Sequence, residues 1–291
     1  MRVFVTGASG WIGSALVPEL LGAGHEVVGL ARSDASAAAV EAMGANALRG
    51  DVTDLEILEK AAADADGVVH LAFGHDFSRI EETIAADGRA VEAMGAALAG
   101  KPFVVASGTP VVPGRPSRED DDPDGTGPVA GRTDIARAVV AMAGRGVRSS
   151  VVRLPRSVHG EGDRHGFVTQ LIGQDREKGI SAYVGDGTQR WPAVHVVDAA
   201  HLFRLALEQA PAGAVLHAVG DEGVAIRDLA AVIGARLDLT PTSVTAEEMG
   251  FLGLILAGDQ PSSSARTQEQ LGWRPTRPGL LEDGEEGHYF G

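Results

Sequence analysis

Arg2-Val-Phe-Val-Thr-Gly-Ala-Ser-Gly-Trp-Ile-Gly13 is the stretch that decides the fold. A short β-branched and aromatic run turns directly into a glycine-spaced loop, and a helix is expected from about Trp11 to Leu21. Gly7 permits the tight turn after the strand, Gly10 lets backbone approach a pyrophosphate, and Gly13 lets the helix pack close to the sheet. Backbone amides and the positive end of the helix dipole would then face the phosphates. Thr6, Gly7, Ser9, Gly10, Trp11, Ile12 and Gly13 are therefore expected to line a dinucleotide site. With 39 glycines in 291 residues, spacing alone proves little. Its place between a strand and a helix carries the weight.

Working outward, the same alternation continues. Strands are expected at His25 to Ala31, Ala45 to Arg49, Gly67 to Ala72, Pro102 to Ser107 and Gly146 to Leu154. Helices are expected at Ala35 to Met43, Asp54 to Ala63, Ile80 to Leu98 and Thr133 to Ala143. This rhythm builds an α/β fold, a doubly wound parallel sheet of Rossmann type. Beyond Pro155 the pattern loosens, with helices at Phe167 to Lys178, Asp198 to Gln209, Ile226 to Leu237 and Ala246 to Leu256. Short strands fall near Ala182 to Val184, Ala193 to Val196 and Ala214 to Ala218. Residues 1–155 read as a dinucleotide-binding core. Residues 156–291 read as a smaller substrate-binding cap, with a stretch of about 190–220 returning to the core.

Bulk properties exclude several classes. Zero cysteines rule out disulfides and thiolate chemistry. A net charge of -15 opposes nucleic acid and anionic membranes and leaves small molecules as the favoured partners. Neither a membrane-spanning apolar run nor a signal peptide ahead of the first strand is evident, so a cytoplasmic location is expected.

Further motifs make the resemblance specific. They are Asp51-Val-Thr-Asp54, Val69-His-Leu-Ala72, Val151-Val-Arg-Leu154, His159-Gly160, the run Trp191-Pro-Ala-Val-His-Val-Val-Asp-Ala-Ala200, and Leu271-Gly-Trp-x-Pro275. With the glycine loop, they resemble an atypical extended short-chain dehydrogenase/reductase of the NAD-dependent epimerase/dehydratase group. The resemblance implies that Asp51 and Val52 lie beside the adenine, that Ala72 and Phe73 lie beside the cofactor ribose with Leu71 also binding the cofactor, and that Ser107 lies beside the nicotinamide. It also implies a homodimer through the helices near 80–98 and 133–143, whose alternative is internal packing. Asp51 could instead start a turn or cap a helix, and His70 reads as a packing histidine. His195 is as able to orient the loop before Asp198 as to touch substrate.

Charge bears on the second ribose. Gly29-Leu-Ala-Arg-Ser33 places Arg32 and Ser33 where an acidic residue would bind a free ribose hydroxyl, favouring NADP(H), with NAD(H) the alternative. Asp34 could offset the arginine or cap the next helix.

The family's catalytic pair is missing. The only tyrosines are Tyr183 and Tyr289, the only lysines Lys60, Lys101 and Lys178, and no Tyr-x-x-x-Lys exists. By resemblance the tyrosine would fall near residues 130–132, where Arg132 can bind an anion or carbonyl oxygen but cannot donate a proton at ordinary pH. Ser107 and Thr109 can polarise an acceptor, His75 or His159 could deliver a proton, and Trp191 could line the substrate pocket or simply pack. Glu161, Asp163 and His165 lack the spacing of a supported metal site, so no metal is expected. The acidic run at 119–124 reads as a solvated loop. The leading expectation is an NADP(H)-dependent oxidoreductase acting on a small carbonyl, imine or conjugated compound. A non-catalytic NADP(H)-binding sensor, and an epimerase or dehydratase with retained cofactor, are the alternatives.

Overall fold

The computed structural model describes residues 1–74, 79–122 and 130–290. In chain order the elements begin β1 (Arg2–Thr6), α1 (Trp11–Gly22), β2 (Glu26–Ala31), α2 (Asp34–Ala42), β3 (Asn46–Arg49) and α3 (Leu55–Asp64). There follow β4 (Gly67–His70), α4 (Ile80–Ala96), β5 (Pro102–Gly108), α5 (Ala130–Ala141) and β6 (Arg148–Leu154). The remainder comprises β7 (Ser157–His159), α6 (Phe167–Lys178), β8 (Ser181–Val184), β9 (Arg190–His195), α7 (Val196–Gln209), β10 (Ala214–His217), β11 (Asp221–Ala225), α8 (Ile226–Leu237), β12 (Pro241–Val244), α9 (Gly250–Leu256), α10 (Ala265–Leu271) and α11 (Leu280–Glu286). The chain divides into two units, Met1–Ser107 with Asp122–Arg153 and Ala200–Leu216, and Gly108–Asp121 with Leu154–Ala199 and His217–Gly291.

In the first unit a seven-stranded sheet runs in the order β10-β6-β5-β4-β1-β2-β3. β1 pairs in parallel with both β2 and β4, Val5 opposite Gly29 on one side and Val69 on the other. Strand order therefore reverses at β1, which opens a crevice at the carboxyl ends of β1 and β4, the place where doubly wound sheets bind ligands. Strands buried on both faces need continuous apolar runs, and Val3-Phe-Val5 and Val68-Val69 supply them. Phe4, Val68, Phe103 and Val151 pack with Leu58, Met94 and Val139 from the helices.

The second unit is built on the three-stranded sheet β11-β9-β7 and the parallel pair β12-β8. Trp191, Leu171, Ile172, Ile233, Leu256 and Leu280 form its core. No helix among the described residues is long and apolar enough to cross a membrane.

The returning stretch is shorter than the expected 190–220. β9 stays in the second unit because it pairs with β7 and β11. Residues 200–216 join the first because Arg204 bridges Glu19 and Glu208, His25 pairs with Glu208, and Arg148 donates to the carbonyls of Leu207 and Ala210. Gly108–Asp121 also lies outside the first unit. Its Ser117 bonds Ser262, and Glu119 is buried, accepting hydrogen bonds from the Thr267 amide at 2.8 Å and hydroxyl at 2.7 Å. The solvated loop expected at 119–124 is corrected at Glu119, residues 123 and 124 lying outside the described residues; Asp120 pairs with Arg266, Asp121 with Arg115, and Asp122 with Arg137. Asp120 and Asp122 remain exposed while they pair.

Candidate functional site

Backbone packs closely against the glycine turn at Gly7 and Gly13. Gly7 has φ +69°, and a Cβ there would sit 2.8 Å from the Ala72 amide nitrogen. A Cβ on Gly13 would meet the Gly7 carbonyl oxygen at 2.1 Å. Thus the turn after β1 touches the segment after β4, and α1 begins directly on the turn. Gly10 is the N-cap of α1 in extended conformation and offers no side-chain acceptor, so the first amides of the helix lack a side-chain cap. Such a closed turn with uncapped amides fits a dinucleotide pyrophosphate, which would bring its own acceptors. Ser9 and Gly10 are exposed there, while Trp11 and Ile12 are half-buried.

Under this turn runs a buried chain of polar groups. His70 Nε2 lies 2.9 Å from Asp87 Oδ1, His70 Nδ1 lies 2.7 Å from Thr6 Oγ1, and the Ala72 amide donates to Thr6 Oγ1 at 3.2 Å. The carboxylate can only accept, which assigns the Nε2 proton; Nδ1 then accepts from the Thr6 hydroxyl in the neutral ring. His70 is more than packing, since it ties the ends of β1 and β4 to α4. Sequence alone could not show this, because Asp87 occupies an otherwise ordinary helical position.

At the end of β2, Arg32 is exposed and has no ion-pair partner among the described residues. Asp34, the residue that could have neutralised it, instead lies 3.3 Å from Arg49. Ser33 caps α2 by accepting from the Ser36 amide, so its hydroxyl is already engaged. Asp51 behaves similarly: Oδ1 accepts from the Thr53 amide and hydroxyl, forming a turn, while Val52 packs on the core. For Asp51 these are the hydrogen bonds of a turn.

Along β5 and α5, Arg132 occupies the region where a tyrosine was sought. Its Nη2 donates to the Ala106 carbonyl at 3.2 Å, and its Cζ stands 3.7 Å from the Phe73 ring centroid. Desolvation lowers the guanidinium pKa, while the charge of Asp87 acts in the opposite sense. Ser107 follows Ala106 directly and is partly exposed, and its hydroxyl has no hydrogen-bond partner among the described residues. Leu71, Ala72, Phe73, Ser107 and Arg132 therefore share the first unit with the glycine turn.

Other expected site residues are placed elsewhere. His75 lies outside the described residues. Thr109 belongs to the second unit, where its amide donates to Leu154. The expectation that His159 delivers a proton is corrected: it is 1% exposed, and its Nδ1 is held 2.8 Å from Asp283 Oδ2. Tyr289 completes that cluster by donating to Asp283 and accepting from the Gly160 amide, and burial pushes its phenol pKa up, away from acid–base use. Trp191 is likewise corrected as a pocket residue. It is fully buried against Phe167, with ring centroids 5.7 Å apart.

His195 accepts from the Val197 amide through Nδ1 at 3.2 Å, so it orients the start of α7. Burial lowers its pKa and favours the neutral ring. Asp198 accepts from the Thr276 and Arg277 amides at 2.9 to 3.1 Å, and its carbonyl accepts from Trp273 Nε1. The two downstream motifs thus fasten to each other within the second unit.

Comparison with known proteins agrees with this geometry. The chain is 45% identical over 296 residues to an uncharacterised protein of Schizosaccharomyces pombe, covering 100% of both chains. It is 28% identical over 296 residues to a 4-hydroxy-2-methyl-3-oxo-4-farnesyl-3,4-dihydroquinoline-1-oxide ketoreductase of Stigmatella aurantiaca, covering 96% of this chain and 82% of the relative. Among solved structures, MoeE5 in complex with UDP-glucose and NAD superposes with a TM-score of 0.77 at 26% identity, covering 98% of this chain and 96% of that one. The model of the NAD dependent epimerase/dehydratase family matches residues 3–219. With its crevice, glycine turn and motifs in register, the chain belongs to the NAD-dependent epimerase/dehydratase family.

Proposed function

We propose that the protein is an NADP(H)-dependent reductase of a small carbonyl, imine or conjugated compound. The observation that carries the cofactor reading is the Gly7–Gly13 turn, closed against Ala72 and leading into an uncapped helix. Preference for NADP(H) is supported by Arg32, whose charge is left available because Asp34 pairs with Arg49. Reduction rather than epimerisation draws support from the ketoreductase relative.

When bound, the nicotinamide supplies the hydride. The chain's own residues position and polarise the acceptor. Ser107 donates its free hydroxyl to the acceptor oxygen, stabilising the negative charge that develops there. Arg132 adds positive charge beside the same strand end, and the oxygen takes its proton from solvent. Incubating the protein with saturating NADPH and a carbonyl and enone panel tests this reading. Turnover abolished or strongly lowered by Ser107→Ala is expected, and failure of every acceptor to oxidise NADPH would refute it. Tight NADPH binding with no turnover would instead favour a non-catalytic sensor, the reading to which the absent tyrosine points.

A further inference from the structure

Several arginines of this chain are matched to acids. Arg115 bonds Asp121, Arg137 bonds Asp122, Arg145 bonds Glu92, Arg190 bonds Asp259, and Arg204 bonds Glu19 and Glu208. With 40 acidic residues against 25 basic ones, such partners are plentiful. Arg132 has none. No carboxylate lies within ion-pair distance of it among the described residues; Asp87 acts on it only as a more distant charge. The hydrogen bond its side chain makes among the described residues is to the Ala106 carbonyl, which leaves Nε, Nη1 and the second Nη2 hydrogen without an acceptor among those residues.

Arg132 is also not a loose surface side chain. One face of the guanidinium stacks on Phe73, fixing its plane, and the Ala106 carbonyl fixes its rotation in that plane. It is only partly open to solvent, and desolvation acts on its charge. Holding a cation in a recess without a counterion costs stability, whereas a guanidinium held in one plane with an open edge matches a planar carboxylate bidentately. The hydroxyl of the adjacent residue on β5, Ser107, is free for the reacting oxygen.

We propose that Arg132 is the anion-binding residue of the site and that the acceptor is a carbonyl compound bearing a carboxylate, an oxo acid. This rests on the reductase reading and names its substrate class. The guanidinium grips the carboxylate by its open edge, Phe73 supports the opposite π-face, and Ser107 meets the oxo group. Asp87, set back from the cation, keeps it charged without occupying the edge.

The test uses short- and medium-chain 3-oxo acids and their methyl esters as probes. Each is titrated calorimetrically into the NADPH-saturated protein, and NADPH oxidation is followed separately. At least one acid is expected to bind about tenfold or more tightly than its ester, as suits a charge-assisted pair. Arg132→Gln should abolish that preference, Arg132→Lys should keep part of it, and both should bind NADPH as the wild type does. The inference is overturned if no acid outbinds its ester, if the preference survives in Arg132→Gln, or if that variant loses NADPH instead. Acid-selective binding without NADPH oxidation would defeat the reductase reading and leave this inference standing. Turnover of esters and acids alike would do the reverse.

Discussion

Replacing Gly13 by alanine adds one methyl group at the most crowded point of the turn. Its Cβ would lie 2.1 Å from the Gly7 oxygen, 2.6 Å from the Ala8 oxygen and 2.7 Å from the Ala8 carbonyl carbon. All three are backbone atoms, so no rotamer change relieves the contact and α1 must move away from the turn. Overpacking costs about 1–3 kcal/mol, and the immobility of these neighbours argues for the upper end. Alanine is a better helix former than glycine by about 1 kcal/mol, which offsets part of it. A net loss of about 2 kcal/mol is expected. Gly22, in the same helix, is the control, because nothing lies within 4 Å of its virtual Cβ. Gly22→Ala should be neutral or stabilising by up to about 1 kcal/mol. Urea unfolding, followed by circular dichroism and tryptophan fluorescence, measures both. NADPH titration should show Gly13→Ala weakened about tenfold or more, since the amides facing the phosphates move with the helix, and Gly22→Ala unchanged. If Gly13→Ala unfolds at the wild-type midpoint and binds NADPH normally, the close-approach argument is refuted.

Other outcomes follow from the same geometry. Arg32→Ala should weaken NADPH by about tenfold, the worth of a charge-assisted phosphate contact, and leave NADH unchanged; equal losses for both nucleotides in fluorescence titrations would contradict the role assigned to this arginine. Asp198→Ala strips the Thr276 and Arg277 amides of their acceptor and should cost about 3 kcal/mol, with Asp198→Asn recovering part; an unchanged urea midpoint would show that the C-terminal clamp carries no load. The hydrogen-bonded Arg115 guanidinium holds the Asp121 carboxyl down at about 2. A folded-state pKa below the unfolded one contributes stability above the ordinary carboxylate range, lost as pH falls from about 4 toward about 2. The gap in urea midpoint between wild type and Asp121→Asn should therefore narrow on acidification, and a gap that widens would reverse the sign of the argument.

What could be read from the chain depended on how local its cause was. The β1 turn was legible because Gly10 and Gly13 act on neighbours a few residues away. Arg32 was legible as a charge, but its availability was not, because that depends on Asp34 turning to Arg49 on a different strand. Glu119 read as solvated since its burial is decided by Thr267, 148 positions along the chain. His159 read as a proton donor for the same reason, its partner Asp283 being 124 positions distant. The short strands β7, β11 and β12 leave little periodicity to detect, and β11, Asp221-Glu-Gly-Val-Ala225, carries acidic residues that its pairing with β9 overrides. Arg132 could be singled out as the residue in the place of a tyrosine, whereas its stacking on Phe73 required the fold.

The account stands on the β1 turn gripping a pyridine dinucleotide. Calorimetric titration of the wild-type chain with NADPH and NADH tests this most directly: saturable one-to-one binding, tighter for NADPH and lost together for both nucleotides in Gly13→Ala, is the expected result. Absence of binding by either nucleotide would contradict it.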